Sequence, residues 1–351
     1  MKKRKIIPLI ILFVICPIAL LIVNFVNLEQ IRTPQNVGSA NYHNIPPQTY
    51  DRKTFAEVQV PEGTFNYGGS TTWATIRGSI DQKIQDATKR KFKLNYVDHP
   101  RGKTPGSITG IRMLLNDKLH FSVSSRPLEP QEKQNLKEIP VAIDGIAIAV
   151  NRNLPIESLT IEQIKNIYTG HIKNWNEIVS SPNVPIKPYI RDPRDGGTVE
   201  YFLKEVLKIE KIEELGSSVE FVPDTTHGVQ KVNQKSGGIY FASAPEVIKE
   251  CTVKTVPLKQ KLEPSFAIPP YRPPLFSPED CLKYKDKIEA NTAAFRNGTY
   301  PITRKLFVIV KQNDPIKKEA GESYANLLLT QEGQELLEKI GFAPILNSSN
   351  N

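Results

Sequence analysis

Three stretches of the chain have a composition suited to holding an anion. Gly68-Gly69-Ser70-Thr71-Thr72 precedes an apolar pattern that begins at Trp73. Gly106-Ser107-Ile108-Thr109-Gly110 precedes Ile111-Arg112-Met113-Leu114-Leu115, and Gly196-Gly197-Thr198 precedes a pattern containing Phe202. A helix start exposes unpaired backbone N–H groups and carries a partial positive charge. Small residues let an anion come close, and Ser and Thr hydroxyls add donors without adding charge. Taken singly, each stretch is also what an ordinary helix cap looks like. Three in one chain, the third beside Arg191 and Arg194, point to loops converging on an oxyanion. A fourth segment, Ser122-Val123-Ser124-Ser125-Arg126-Pro127-Leu128, offers hydroxyls and a guanidinium suited to bidentate contact with phosphate-like groups; it reads equally as a surface turn before Pro127.

Motifs for covalent chemistry are incomplete. Gly102-Lys103-Thr104 resembles the end of a P-loop, but Val97 stands where the first glycine is needed. The histidines (His43, His99, His120, His171, His227) include no i, i+4 pair and no HExxH, and there is no G-x-S-x-G elbow. Nothing in the Cys/His spacing suggests zinc, so neither a metal nor another cofactor is expected. Asn297-Gly298-Thr299 fits a glycosylation sequon of a kind common by chance.

The loops need a scaffold, and the hydrophobic pattern supplies one. Phe92, Leu94 and Tyr96 alternate as in a half-buried strand, while Ile143 to Val150 and Leu306 to Val310 are short apolar runs like strands buried on both faces. Trp73, Ile76, Ile80 and Ile84 recur at helical spacing, as do Val199, Phe202, Leu203 and Val206. Thr160 and Gln163 form a capping box ahead of Ile161, Ile164 and Ile167. Strands alternating with helices predict an α/β fold with largely parallel sheets.

Ahead of this scaffold lie Lys2, Lys3, Arg4 and Lys5, then an uncharged apolar run from Ile6 to Val23. That run is long for a signal-peptide core and suits a membrane span; no small-residue cleavage site follows, and Phe13-Val14-Ile15-Cys16 is a poor lipobox. Residues 1–27 are therefore expected to be an uncleaved signal anchor, with a cleaved signal peptide as the alternative, and residues 28–64 a polar tether. Of the 351 residues, 39% are hydrophobic and 24% charged, which excludes a chain disordered throughout. The net charge is +9; with the four N-terminal cations set aside it is too weak to name a polyanionic partner, and no basic–aromatic interleaving suggests nucleic acid. Cys251 and Cys281 permit one disulfide in an exported domain, or stand as two isolated thiols.

From about Phe65 onward the chain resembles the phosphate-binding, PstS-type substrate-binding proteins of ABC transporters. The most specific stretch is Ile167-Tyr168-Thr169-Gly170-His171-Ile172-Lys173-Asn174-Trp175-Asn176-Glu177-Ile178. Ala142-Ile143-Asp144-Gly145-Ile146-Ala147, Gly237-Gly238-Ile239-Tyr240-Phe241, Tyr300-Pro301-Ile302-Thr303-Arg304, Gln331-Glu332-Gly333-Gln334-Glu335-Leu336 and Gly341-Phe342-Ala343-Pro344 support it. The resemblance implies a two-lobed, type II periplasmic-binding-protein fold over residues 65–351. Lobe A would comprise about 65–149 and 242–346, and lobe B about 152–239.

It also implies inorganic phosphate, or a similar oxyanion, in the cleft, and delivery to an ABC permease in the inner membrane by an extracytoplasmic monomer that is not an enzyme. The implied ligand-binding residues are Thr71, Thr72, Ser107, Ser125, Arg191, Gly196, Gly197 and Thr198, with Ser70, Ser124, Arg126 and Arg194 as secondary candidates. Two positions depart from the family pattern. Ser125 replaces an aspartate that accepts a proton from phosphate and repels sulfate, and Gly196 replaces a serine. Arg126 could restore affinity, and Asp195 or Asp98 could supply the missing acceptor. A sensor or surface scavenger with the same fold is the competing class. A phosphate-ester hydrolase is a third, and it lacks a nucleophile–base pair.

Overall fold

The computed structural model describes residues 52–101, 105–180, 183–193, 196–261, 266–273 and 278–345. The expected anchor (1–27), most of the expected tether, Arg194 and Asp195 lie outside the described residues. No described helix is long and apolar enough to cross a membrane.

Eleven strands are described: β1 (Gly63–Gly69), β2 (Phe92–Tyr96), β3 (Phe121–Ser124), β4 (Leu136–Asn151), β5 (Leu159–Thr160), β6 (Lys187–Arg191), β7 (Glu220–Val222), β8 (Gly238–Ser243), β9 (Val253–Val256), β10 (Leu258–Lys259) and β11 (Thr303–Lys311). Nine of them form one connected sheet in the order β2-β1-β3-β11-β4-β8-β6-β7, with β9 also paired to β4. The outer pairings β1–β2, β1–β3, β6–β7 and β6–β8 are parallel, as the alternation of strands and helices predicts. The pairings through the middle, β3–β11, β11–β4, β4–β8 and β4–β9, are antiparallel, which hydrophobic periodicity does not reveal.

One strand joins the two lobes. The first part of β4, to Gly145, pairs with β11, whereas Ile146–Asn151 pairs with β8 and β9. Pro140 has no N–H to donate, and near it the β4–β11 register slips by a residue in a bulge. The buried side chains follow the same division. Tyr67, Trp73, Phe121, Leu306 and Tyr324 belong to one cluster; Ile148, Tyr168, Trp175, Phe202 and Phe241 belong to another. Residues 242–302, expected in lobe A, contribute Ala244, Val247, Phe295, Tyr300 and Ile302 to that second cluster. The chain returns to the first half only at β11, whose Thr303 lies opposite Gly145. Cys251 and Cys281 are joined in a disulfide on the same side.

The predicted helical faces are buried. Trp73, Ile76, Ile80 and Ile84 are inaccessible, on the continuous helical segments Trp73–Ile76, Arg77–Asp81 and Gln82–Ala87. The Thr160/Gln163 capping box opens the helix Ile161–Tyr168. Phe55 and Val58, inside the segment expected as tether, are also buried, and the Phe55 amide donates to Glu332. Two apolar side chains three residues apart are enough to seat this stretch on the folded body.

Candidate functional site

Two helices begin face to face across the cleft. One is Ser107–Leu115, capped by Gly106. The other is Gly197–Tyr201, which continues without a break into Phe202–Leu207 and is capped by Gly196. Neither start has a side-chain cap. Gly196 has φ of +143°, and a Cβ there would lie 3.0 Å from Gly106 Cα; a Cβ on Gly197 would come within 2.7 Å of the hydroxyls of both Ser107 and Ser125. The serine expected at position 196 would therefore be strained and crowded in this closed arrangement, which is the physical reason for glycine. Two positive helix ends set against one another repel unless negative charge lies nearby.

The site residues expected from the sequence fall into three groups. Ser70 donates to Ser125 at 2.9 Å, Ser125 and Ser107 hydroxyls are 3.3 Å apart, and the Ser125 amide donates to Ser107 at 3.0 Å. These three buried hydroxyls satisfy one another beside Gly197. The second group, Thr71, Arg191 and Thr198, lines a small cavity of about 10 Å³ together with Val199, Thr225, Tyr240 and Glu246. Arg191, at the end of β6, is 9% exposed and donates from Nη1 to Thr71 Oγ1 at 3.2 Å, while its buried Nε has no partner. No ion pair to Arg191 is found among the described residues.

The third group stands back from the cavity. Thr72 receives a hydrogen bond from Arg304 Nη2 at 3.0 Å. Arg304 in turn pairs with Asp144, directly opposite it on β4, through contacts of 2.8 and 3.0 Å. Ser243 donates to the other Asp144 oxygen at 2.6 Å. This buried pair holds the first loop from behind. Ser124 is used in a local turn with Arg126.

Arg126, expected as a supplementary anion ligand, is committed elsewhere. It pairs with Glu132 at 2.8 Å and reaches Glu200 at 3.0 Å, and Lys204 pairs with Glu129 at 3.0 Å. Glu200 and Lys204 ride on the helical run that starts at Gly197, so the Arg126–Glu200 and Lys204–Glu129 pairs fasten the two lobes together. Tyr201 adds a hydrogen bond to the Thr303 carbonyl at 2.6 Å. Asp98 does not line the cavity.

Asp144, Arg304, Thr225, Tyr240 and Glu246 had no assigned role in the sequence. A signal existed for the first: the lone charge of Asp144 inside an apolar strand run requires a partner. Glu246 had none. Its carboxylate accepts from Thr225 Oγ1 at 3.0 Å, and burial pushes it up to about 6, with Asp144 adding to the rise and Thr225, Arg304 and Arg191 opposing it.

This fold and cleft define a class. Residues 59–332 match the family model described as a PBP superfamily domain, and the chain belongs to that superfamily. Within it the chain is 30% identical to the phosphate-binding protein PstS of Staphylococcus saprophyticus over 299 residues, 81% of each chain. It is 25% identical to PstS of Staphylococcus haemolyticus over 285 residues, 76% of each chain. Among solved structures, a Clostridium perfringens protein with bound phosphate, described as a phosphate ABC transporter substrate-binding protein, superposes with a TM-score of 0.62 at 24% identity. That match covers 81% of this chain and all of the other, and it shows a shared fold. Trp175, in the most specific sequence match, sits in the core and donates to the Gly237 carbonyl at 3.1 Å; the family signature here builds a lobe rather than the site.

Proposed function

We propose that this protein captures inorganic phosphate between its lobes, outside the cytoplasm, and delivers it to an ABC permease. The observation that carries this reading is Arg191. A guanidinium with a buried, unpartnered Nε, at a cavity shared with Thr71 and Thr198, is costly unless an anion completes it. The opposed helix starts at Ser107 and Gly197 favour the same charge, and the Ser70, Ser107 and Ser125 hydroxyls can exchange their mutual bonds for an oxyanion's acceptors. A cavity of about 10 Å³ holds about one water, so the lobes must part to admit a tetrahedral ion and close again around it.

In this reading the protein performs no covalent chemistry, works as a monomer, and is held at the membrane by residues 1–27. The names of the PstS relatives and the phosphate bound to the Clostridium perfringens protein support the ligand assignment. Calorimetric titration with phosphate, arsenate and sulfate tests it. Micromolar or tighter phosphate binding is expected, and no binding of any of the three overturns the reading. Deletion should abolish high-affinity phosphate uptake; unchanged uptake with altered regulation would assign the protein to sensing.

A further inference from the structure

Phosphate and sulfate have the same shape, and what distinguishes them near neutral pH is a proton. Monohydrogen phosphate can donate one hydrogen bond, and sulfate none. A group that can only accept therefore favours phosphate and repels sulfate. The hydroxyls of Thr71 and Thr198 and the guanidinium of Arg191 can donate to either ion. Among the described residues lining the cavity, Glu246 is the one carboxylate.

Glu246 is placed for the task. It lies on the short helix Ala244–Val247, directly after β8, and is mostly buried. Thr225, at the start of the helix Thr225–Gln234, donates to Oε2 and fixes the carboxylate; Oε1 takes no hydrogen bond among the described residues. We propose that Glu246 accepts the hydrogen bond of the proton-bearing phosphate oxygen and is the residue that excludes sulfate. The inference rests on the phosphate reading above.

The charged and titratable neighbours are Asp144 on β4, Arg304 on β11, Arg191 on β6, Tyr240 on β8, and Asp224 with its partner His227 at the Thr225 helix start. Burial, followed by Asp144, brings the Glu246 carboxyl up to about 6. At pH 8 it is ionised and only accepts. Towards pH 5 it carries a proton and can donate to a fully ionised anion.

The test is titration of the purified protein and of Glu246→Gln with phosphate and with sulfate at pH 8. The wild type should prefer phosphate by about 100-fold or more, and the variant by roughly tenfold or less. An unchanged preference in the folded variant overturns the inference. Should that variant fail to fold, the wild type decides alone. Its phosphate-to-sulfate preference should fall by about tenfold between pH 8 and pH 5, and a flat preference overturns the inference. A wild type that binds phosphate but fails these tests leaves the phosphate reading standing; one that binds neither ion fails both.

Discussion

Replacing Arg191 with methionine should weaken phosphate binding and leave the empty protein at least as stable, two effects of opposite sign from one side chain. Among the described residues the guanidinium, 9% exposed, donates a 3.2 Å hydrogen bond to Thr71 and leaves its Nε without a partner. Methionine keeps the apolar stem and removes a buried charge with no ion-pair partner among the described residues. Loss of the Thr71 bond costs about 1 kcal/mol, and relief of desolvation offsets it, for an expected net change between 0 and about +2 kcal/mol of stability. Phosphate, by contrast, loses two charge-assisted hydrogen bonds of ~1.5–3 kcal/mol each, a drop in affinity of roughly 10²- to 10⁴-fold.

Thermal unfolding with and without phosphate reads both effects. At a phosphate concentration 100 times its dissociation constant, the wild type gains about 2.7 kcal/mol, a rise in melting temperature of roughly 5–10 °C. The variant at that concentration should gain no more than about 1.5 °C. Affinity within about threefold of wild type would place Arg191 outside the site. A ligand-free variant destabilised by more than about 2 kcal/mol would show that the cation was structurally satisfied, and the argument from its burial would fail.

Three further perturbations follow from the geometry. Glu200→Gln breaks the cross-lobe contact to Arg126 and the same-helix contact to Lys204, while Arg126 keeps Glu132 and Lys204 keeps Glu129. Phosphate affinity should fall by about 2- to 10-fold with little change in unfolding, and small-angle scattering should show a more open ligand-free protein. Gly196→Ala forces a side chain into φ +143° and to 3.0 Å from Gly106, so calorimetry should show weaker phosphate binding and denaturant titration a loss of ~1–3 kcal/mol. Asp81, bonded by Tyr67 and Tyr324, is raised from 3.8 to about 6, chiefly by burial. A carboxyl raised in the folded state contributes stability that is complete below the unfolded value and is lost as pH rises through the folded one. Wild-type stability should therefore decline between pH 4 and pH 8, and Asp81→Asn should reduce that decline by about 1–3 kcal/mol in urea unfolding.

Local regularities were legible in the sequence because they depend on near neighbours. The Trp73-Ile76-Ile80-Ile84 face, the Thr160 capping box and the alternation in β2 need only a few consecutive residues to specify them, and each is present. The helix starts at Gly106 and Gly196 were legible for the same reason, since a glycine cap and its neighbouring hydroxyls are local. The lobe crossing was not. Its position depends on which strands pair with each half of β4, and an apolar run such as Ile143 to Val150 looks the same whether its neighbour is β11 or β8. Residues 242–302 accordingly joined a core that no local pattern assigns.

Charge is the hardest property to place from sequence, because a charged side chain acquires its role from partners distant along the chain. Arg126 sits beside Ser125 and reads as an anion ligand, yet Glu132 and Glu200 claim it, the latter 74 positions on, and convert it into a clasp between lobes. Arg191 reads the same way and is left incomplete. Among the described residues the two guanidiniums differ in whether a carboxylate pairs with them, and in the proposed reading that difference makes one a clasp and the other a phosphate ligand. Glu246 extends the argument: in Ala244-Pro245-Glu246-Val247 it looks like a surface acid, but the turn after β8 carries it to the wall that Arg191 shares. A binding site for a small anion is thus defined as much by which cations remain unpaired as by which loops can donate.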